Sequence, residues 1–147
     1  MLKISMITGL NHLTLSVTDL DRAIRFYSEW LGFTLRMRSP RSAYLEAGTL
    51  WLALVFDAEA RHNPSAEYSH AALSLAASEL PLLAEKLRRA GVVEWREADN
   101  SDSFYFLDPD GHKLELHSGD LTSRLRSRAA AREPNTSVYM EPNGCPH

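Results

Sequence analysis

The sequence predicts an α+β fold built from two paired βαβββ modules. Three observations carry this: a strand-then-helix pattern is spelled out twice, each copy opens on a histidine followed by alternating apolar residues, and an aperiodic stretch separates the copies. In the first copy Gly9-Leu10-Asn11-His12-Leu13-Thr14-Leu15-Ser16-Val17 alternates with the period of a half-buried strand. Asp19 or Asp21 then caps a helix, because Ala23, Ile24, Phe26, Tyr27, Trp30 and Leu31 recur at helical spacing before Gly32 ends it. Strands follow at Phe33 to Arg38, Ser42 to Ala47 and Leu50 to Phe56, with Ser39-Pro40 and Ala47-Gly48 as turn signals. Residues Asp57 to Glu67, with Asn63-Pro64-Ser65 among them, form the linker.

The second copy begins at His70-Ala71-Ala72-Leu73-Ser74-Leu75 and continues into a helix with Leu80, Leu83, Leu87 and Ala90 on one stripe, closed by Gly91. Val92 to Arg96, Ser103 to Leu107 and Lys113 to His117 are its strands, the last two joined by the turn Asp108-Pro109-Asp110-Gly111. The repeats span about 7–56 and 68–118 within a single domain, 1–126. Superposing them sets His12 on His70 and Tyr44-Leu45-Glu46 against Lys113-Leu114-Glu115. Leu121 and Leu125 suit a short helix, and the remainder, 127–147, is basic and Ala-rich, then Pro-rich, and reads as an extended or mobile tail.

With 147 residues, 44% hydrophobic and 24% charged, the chain can bury one ordinary core. Its 16 basic and 19 acidic residues are dispersed, so no basic face awaits a nucleic acid. No apolar run approaches the ~20 residues that span a bilayer, and Met1 to Met6 do not resemble a signal peptide, so a cytoplasmic location and no membrane partner are expected. Cys145, the single cysteine, cannot form an intramolecular disulfide and reads as incidental.

A histidine opening each copy and a glutamate in the last strand of the second can converge if the modules pair about a pseudo-twofold axis. His12, His70 and Glu115 would then form a mixed nitrogen and oxygen set, suited to Mn, Fe, Co, Ni or Zn, with positions left open for water or substrate. Taken singly, each is as readily an ordinary strand residue. His117, on the same face as Glu115, and Glu46, at the repeat-equivalent position, are rival ligands that periodicity does not exclude. His62, His112 and His147 are expected at the surface.

Gly9-Leu10-Asn11-His12-Leu13-Thr14-Leu15, Ala43-Tyr44-Leu45-Glu46, Leu50-Trp51-Leu52 and Asp102-Ser103-Phe104-Tyr105-Phe106-Leu107-Asp108-Pro109-Asp110-Gly111-His112 closely resemble the fosfomycin resistance glutathione transferases. The likeness runs on through Leu114-Glu115 and Gly119-Asp120-Leu121 to Ser123-Arg124-Leu125. That family belongs to the vicinal-oxygen-chelate group, which also holds glyoxalases, bleomycin-resistance proteins and extradiol dioxygenases. The resemblance implies a metal-dependent transferase that adds glutathione to the epoxide of fosfomycin. By the same resemblance His12, His70 and Glu115 hold Mn2+ or another divalent metal, His12 coming from the opposite subunit of a domain-swapped homodimer, which demotes Glu46 and His117. Thr14 falls beside the epoxide oxygen and Tyr44 near the thiol. Trp51 is a pocket wall, and Ser103, Tyr105 and Arg124 hold the phosphonate together with Arg96, which stands where the family has lysine. The segment Ala98-Asp99-Asn100-Ser101-Asp102-Ser103 is shorter than the family's K+ loop, although Asp99, Asn100 and Ser101 offer oxygens. The alternatives are a glyoxalase- or dioxygenase-like enzyme for another small substrate, or a metal-free drug-sequestering protein; the three candidate ligands argue against the latter.

Overall fold

Alternation gives each strand one face to bury, and the outcome in the computed structural model, which describes residues 5–141, is a pair of four-stranded sheets. The first module runs β1 (Leu13–Val17), α1 (Leu20–Arg25), β2 (Thr34–Arg38), β3 (Ser42–Ala47) and β4 (Leu50–Phe56). The second runs β5 (Ala71–Ser74), α2 (Leu80–Arg89), β6 (Glu94–Arg96), β7 (Ser103–Leu107) and β8 (Lys113–His117). Their strand orders, β1-β4-β3-β2 and β5-β8-β7-β6, are the same, with β1 and β5 as parallel edge strands.

Asp19, rather than Asp21, caps α1 by accepting the Arg22 amide at 2.9 Å. Beyond Arg25 the helix widens into a π turn, Phe26–Trp30, in which the Leu31 amide reaches the Phe26 carbonyl at 3.3 Å. Hydrophobic spacing predicted one uniform helix here and does not encode such a widening. Val17, Leu45 and Leu54 from one sheet and Phe106, Leu114 and Leu116 from the other share one core with Tyr27 and Leu87 of the helical segments.

The turn Asp108-Pro109-Asp110-Gly111 locks the modules together. Asp110 is wholly buried, and its Oδ1 accepts the Thr18 amide at 2.9 Å, the Thr18 hydroxyl at 2.7 Å and Arg22 Nη2 at 3.2 Å. The buried Tyr27 hydroxyl donates to Asp108 at 2.7 Å, and burial followed by the Asp108 charge drives that phenol well above its ordinary pKa. His112, expected at the surface, is half-buried, its Nε2 2.8 Å from the Ser16 carbonyl of β1. Gly111 has φ +82°, and a Cβ there would stand 2.9 Å from the Asn63 and Pro64 backbone, so the linker lies directly against it.

The C-terminal expectation is corrected in part. A third helix, α3 (Leu121–Ala131), continues past Arg126 through the alanines. Its start is a reciprocal cap: the Asp120 carboxylate accepts the Ser123 amide at 2.7 Å and the Ser123 hydroxyl accepts the Asp120 amide at 2.9 Å. No α3 residue is buried, so it lacks the apolar stripe by which a helix is read, while alanine favours helix without one. Val138 further on is buried, whereas Cys145 and His147 lie outside the described residues. No helix among the described residues is long and apolar enough to cross a membrane.

Candidate metal and anion site

Strand register decides which side chains share the sheet face turned from the core. On the second sheet Glu115 stands opposite Ala72 of β5 and Tyr105 of β7, and His117 opposite Ser103. His70, one residue before β5, places Nε2 2.8 Å from Glu115 Oε2. Ser103 donates its hydroxyl to Glu115 Oε1 at 2.6 Å and lies 2.9 Å from His117 Nδ1. Ser103, Tyr105 and Glu115 are all buried, an unusual density of polar groups for a sheet face. Burial pushes the Glu115 carboxyl up, but the Ser103 hydroxyl and His70 outweigh it and hold it below the ordinary glutamate range. Burial raises the Tyr105 phenol against the opposing Ser103 hydrogen bond, so it remains a donor at neutral pH.

The histidine contact tests whether a metal fits. His70 Nδ1 lies 2.9 Å from the Tyr68 carbonyl, which can only accept, so that nitrogen carries the proton. In the neutral ring Nε2 then presents a lone pair to an ionised carboxylate oxygen. Two acceptors so placed need a positive charge between or upon them. A divalent cation meets that need, and a carbonyl-anchored imidazole beside a hydrogen-bonded carboxylate is how ligands to such a cation are oriented.

The first sheet carries the other candidates. Thr14 and Tyr44 both face Ala53 of β4, and Trp51 lies further along the same strand. The His12 ring is 4.4 Å from that of Trp51, which meets Tyr44 edge-on at 5.1 Å. Tyr44 and Trp51 remain 38% and 37% exposed, leaving an open aromatic face. No hydrogen bond, ion pair or aromatic contact joins His12 or Thr14 to His70 or Glu115. Among the described residues no three His, Cys, Asp or Glu side chains are placed to hold one ion. A single chain thus presents the candidate triad as two plus one. The cleft of about 450 Å³ between the modules, lined by Leu31, Phe33, Leu50, Leu73 and Leu116, contains no histidine or acid.

The repeat register corrects the earlier superposition. Thr14 pairs with Ala53 as Ala72 pairs with Glu115, and Tyr44 with Ala53 as Tyr105 with Glu115. His12 is therefore equivalent to His70, but the counterpart of Glu115 is Ala53, not Glu46. Glu46 sits opposite Trp51 and pairs with Arg36 at 3.2 Å. His117, the other rival, does sit beside Glu115, with Nδ1 3.4 Å from Oε1.

Two aromatic residues escaped sequence reasoning. Tyr68 and Trp95 stand 5.0 and 5.3 Å from the His70 ring, and Trp95 packs on Tyr105 at 5.1 Å. Alternation puts Trp95 and Arg96 on opposite faces; an irregularity in pairing between Glu94 and Arg96 lets both approach Tyr105. The Tyr68-x-His70 spacing was the available signal for Tyr68. The Arg96 guanidinium lies 5.1 Å from the Tyr68 ring and 5.2 Å from the Tyr105 ring, hydrogen-bonds the Tyr68 hydroxyl and pairs with Asp99. Arg124 is exposed on the first turns of α3 and makes no ion pair among the described residues.

Comparison with known proteins agrees with this architecture. The chain is 46% identical over 131 residues to a glutathione transferase, FosA, of Serratia marcescens, covering 87% of this chain and 91% of that protein. It is 36% identical over 143 residues to a metallothiol transferase, FosB, of Staphylococcus haemolyticus, covering 92% and 100%. Among solved structures, a fosfomycin resistance protein, FosX, of Listeria monocytogenes superposes with a TM-score of 0.72 at 27% identity, covering 83% and 99%. A FosX from the same organism has been solved with Mn(II) and 1S,2S-dihydroxypropylphosphonic acid. Residues 9–116 match the family model described as Glyoxalase/Bleomycin resistance protein/Dioxygenase superfamily, and the chain belongs to that superfamily.

Proposed function

We propose that this protein is a metal-dependent thiol transferase that adds glutathione to the epoxide of fosfomycin, and that it works as a cytoplasmic homodimer. The observation that carries the reading is the buried face where His70, Glu115, Ser103 and Tyr105 meet beside the Arg96 cation: a metal-ligating pair adjoining hydroxyl and guanidinium donors suits a small phosphonate. His12, supplied by a second copy, completes the ligand set for Mn2+ or another divalent metal. When bound, that metal supplies Lewis acidity at the oxirane oxygen. The relatives named for glutathione or metallothiol transfer support the same chemistry.

The chain's own residues account for the rest. Ser103, Tyr105, Arg96 and Arg124 bind and orient the phosphonate, so that the ring meets the thiol in line. Thr14, on the same strand face as His12, donates its hydroxyl toward the epoxide oxygen, and Trp51 walls the pocket. Tyr44 faces the incoming thiol. The thiolate sulfur bonds to the less hindered ring carbon as the carbon–oxygen bond breaks. The electron pair passes to oxygen, which takes back the proton that the thiol gave up. Position 44 is a tyrosine and offers no carboxylate base for water, which favours thiol addition over hydrolysis.

The test is incubation of the purified protein with Mn2+, glutathione and fosfomycin, followed by mass spectrometry for the glutathione adduct, with the diol and the cysteine adduct scored in parallel. The glutathione adduct is expected to dominate. A dominant diol would reassign the reaction, and no product with any thiol would sink the transferase reading.

A further inference from the structure

The buried Ser103 hydroxyl stands between two polar neighbours and has one proton to give. Its Oγ lies 2.6 Å from Glu115 Oε1 and 2.9 Å from His117 Nδ1. Glu115, held below the ordinary glutamate range, is ionised at neutral pH and can only accept, so the Ser103 proton lies on that short contact. Ser103 is then the acceptor toward His117, and Nδ1 of His117 carries a proton. The same Nδ1 is 3.4 Å from Glu115 Oε1, where a proton is attracted to the carboxylate and a lone pair would be repelled. The other ring nitrogen lies close to Gly119: a Cβ there would stand 2.8 Å from Nε2, so the imidazole takes the space that the glycine leaves. Backbone register fixes where the ring starts. His117 stands opposite Ser103 on β8, and its carbonyl accepts the Leu75 amide at 3.4 Å.

We infer that His117 is a positioning residue and not a metal ligand: its Nδ1–H holds Ser103 so that the Ser103 hydroxyl proton points at Glu115 Oε1, which leaves Oε2 to share the divalent metal with His70. From His117 through Ser103 to Glu115 the donors run one way, and in such a chain each bond polarises the next. The two oxygens of the carboxylate are thereby given different tasks. Oε1 receives the Ser103 proton, while Oε2 lies 2.8 Å from His70 Nε2. A protonated Nδ1 has no lone pair for a metal, and Nε2 is packed against Gly119. The metal part of this inference rests on the function proposed above; the direction of the hydrogen bonds does not.

Imidazole nitrogen-15 NMR of the metal-free protein reads the first link without turnover. The His117 signal, identified by its loss in His117→Asn, is expected to show a protonated Nδ1; a bare Nδ1 would overturn the inference. Mn2+ titration followed by electron paramagnetic resonance reads the second link. His117→Leu fills the space of the ring without a donor and should weaken Mn2+ binding about tenfold, the low end of what loss of an orienting partner costs. His117→Ala takes its place if the leucine chain does not fold. His117→Asn sets an amide N–H where Nδ1 stood and should bind Mn2+ within about threefold of wild type. A leucine or alanine variant that stays within about threefold of wild type overturns the inference. So does an asparagine variant as weak as the leucine one, which is the result a direct ligand would give. If the wild type takes up no Mn2+, the metal reading fails and the positioning role with it, while the NMR still decides the direction of the hydrogen bonds.

Discussion

A site shared between two copies can be tested by complementation between two dead enzymes. His12 stands on the first sheet and Glu115 on the second, with no contact linking them inside one chain. His12→Ala destroys the first-module half of every site and Glu115→Gln the second-module half, so each homodimer should be inactive. In a mixed dimer one cavity receives both defects and the other neither. Equal amounts pairing at random give half mixed dimers, each with one of two cavities intact, so about one quarter of the wild-type site concentration should return. Differently tagged subunits, co-refolded and assayed for the glutathione adduct before and after isolation of the doubly tagged species, supply the measurement. The isolated species should carry about half the wild-type rate per dimer. Activity no greater than the sum of the parents would refute a shared site, and a His12→Ala parent retaining metal and turnover would refute the ligand assignment itself.

Asp110→Ala should be among the costliest substitutions in the chain, since it strips two Thr18 donors and Arg22 of a wholly buried acceptor. Because Arg22 is 42% exposed, the low end of the buried-pair range applies, about 3 kcal/mol, or a melting temperature roughly 6–12 °C lower by calorimetry. Gly111→Ala combines positive φ with backbone overlap and should cost about 2 kcal/mol or more in urea unfolding; a loss under about 0.5 kcal/mol would contradict the packing described. Ser103→Ala should weaken Mn2+ binding by about 10–100-fold in an electron paramagnetic resonance titration, as loss of an orienting partner does. The pH dependence has a fixed sign: the Glu115 carboxyl lies below its unfolded value, so its ionised form favours the native state above about pH 4.3 and loses that advantage as pH falls through the lower native value. Ser103→Ala removes the principal lowering group, so acid unfolding should begin at higher pH than in wild type.

Most of the fold was legible because alternation and helical stripes report burial. Seven of the strand segments and both core-facing helices sit within a residue or two of where the pattern puts them. The exceptions are cases in which no burial signal exists. α3 buries nothing, so Leu121 and Leu125 suggested only a short helix, and its full extent rests on the Asp120–Ser123 cap and the alanines. The π turn at Phe26–Trp30 leaves the apolar spacing of α1 intact, and the first strand starts at Leu13 rather than Gly9. Matching Glu46 with Glu115 failed for a related reason: every half-buried strand shares the same period of two, so alternation cannot tell the third strand of a module from the fourth. His70 and Glu115 were readable as a pair, whereas the approach of Trp95 depends on a pairing irregularity that composition does not announce.

The equivalence of Ala53 and Glu115 has a chemical meaning. A perfectly symmetric pair of modules would set two histidines and two carboxylates around one point, enough side chains to close a tetrahedral ion completely. In this sequence one of those carboxylates is a methyl group. On the shared-site reading, Ala53 leaves open a coordination position that a second carboxylate would take, and the asymmetry between the duplicated halves leaves room there for a substrate.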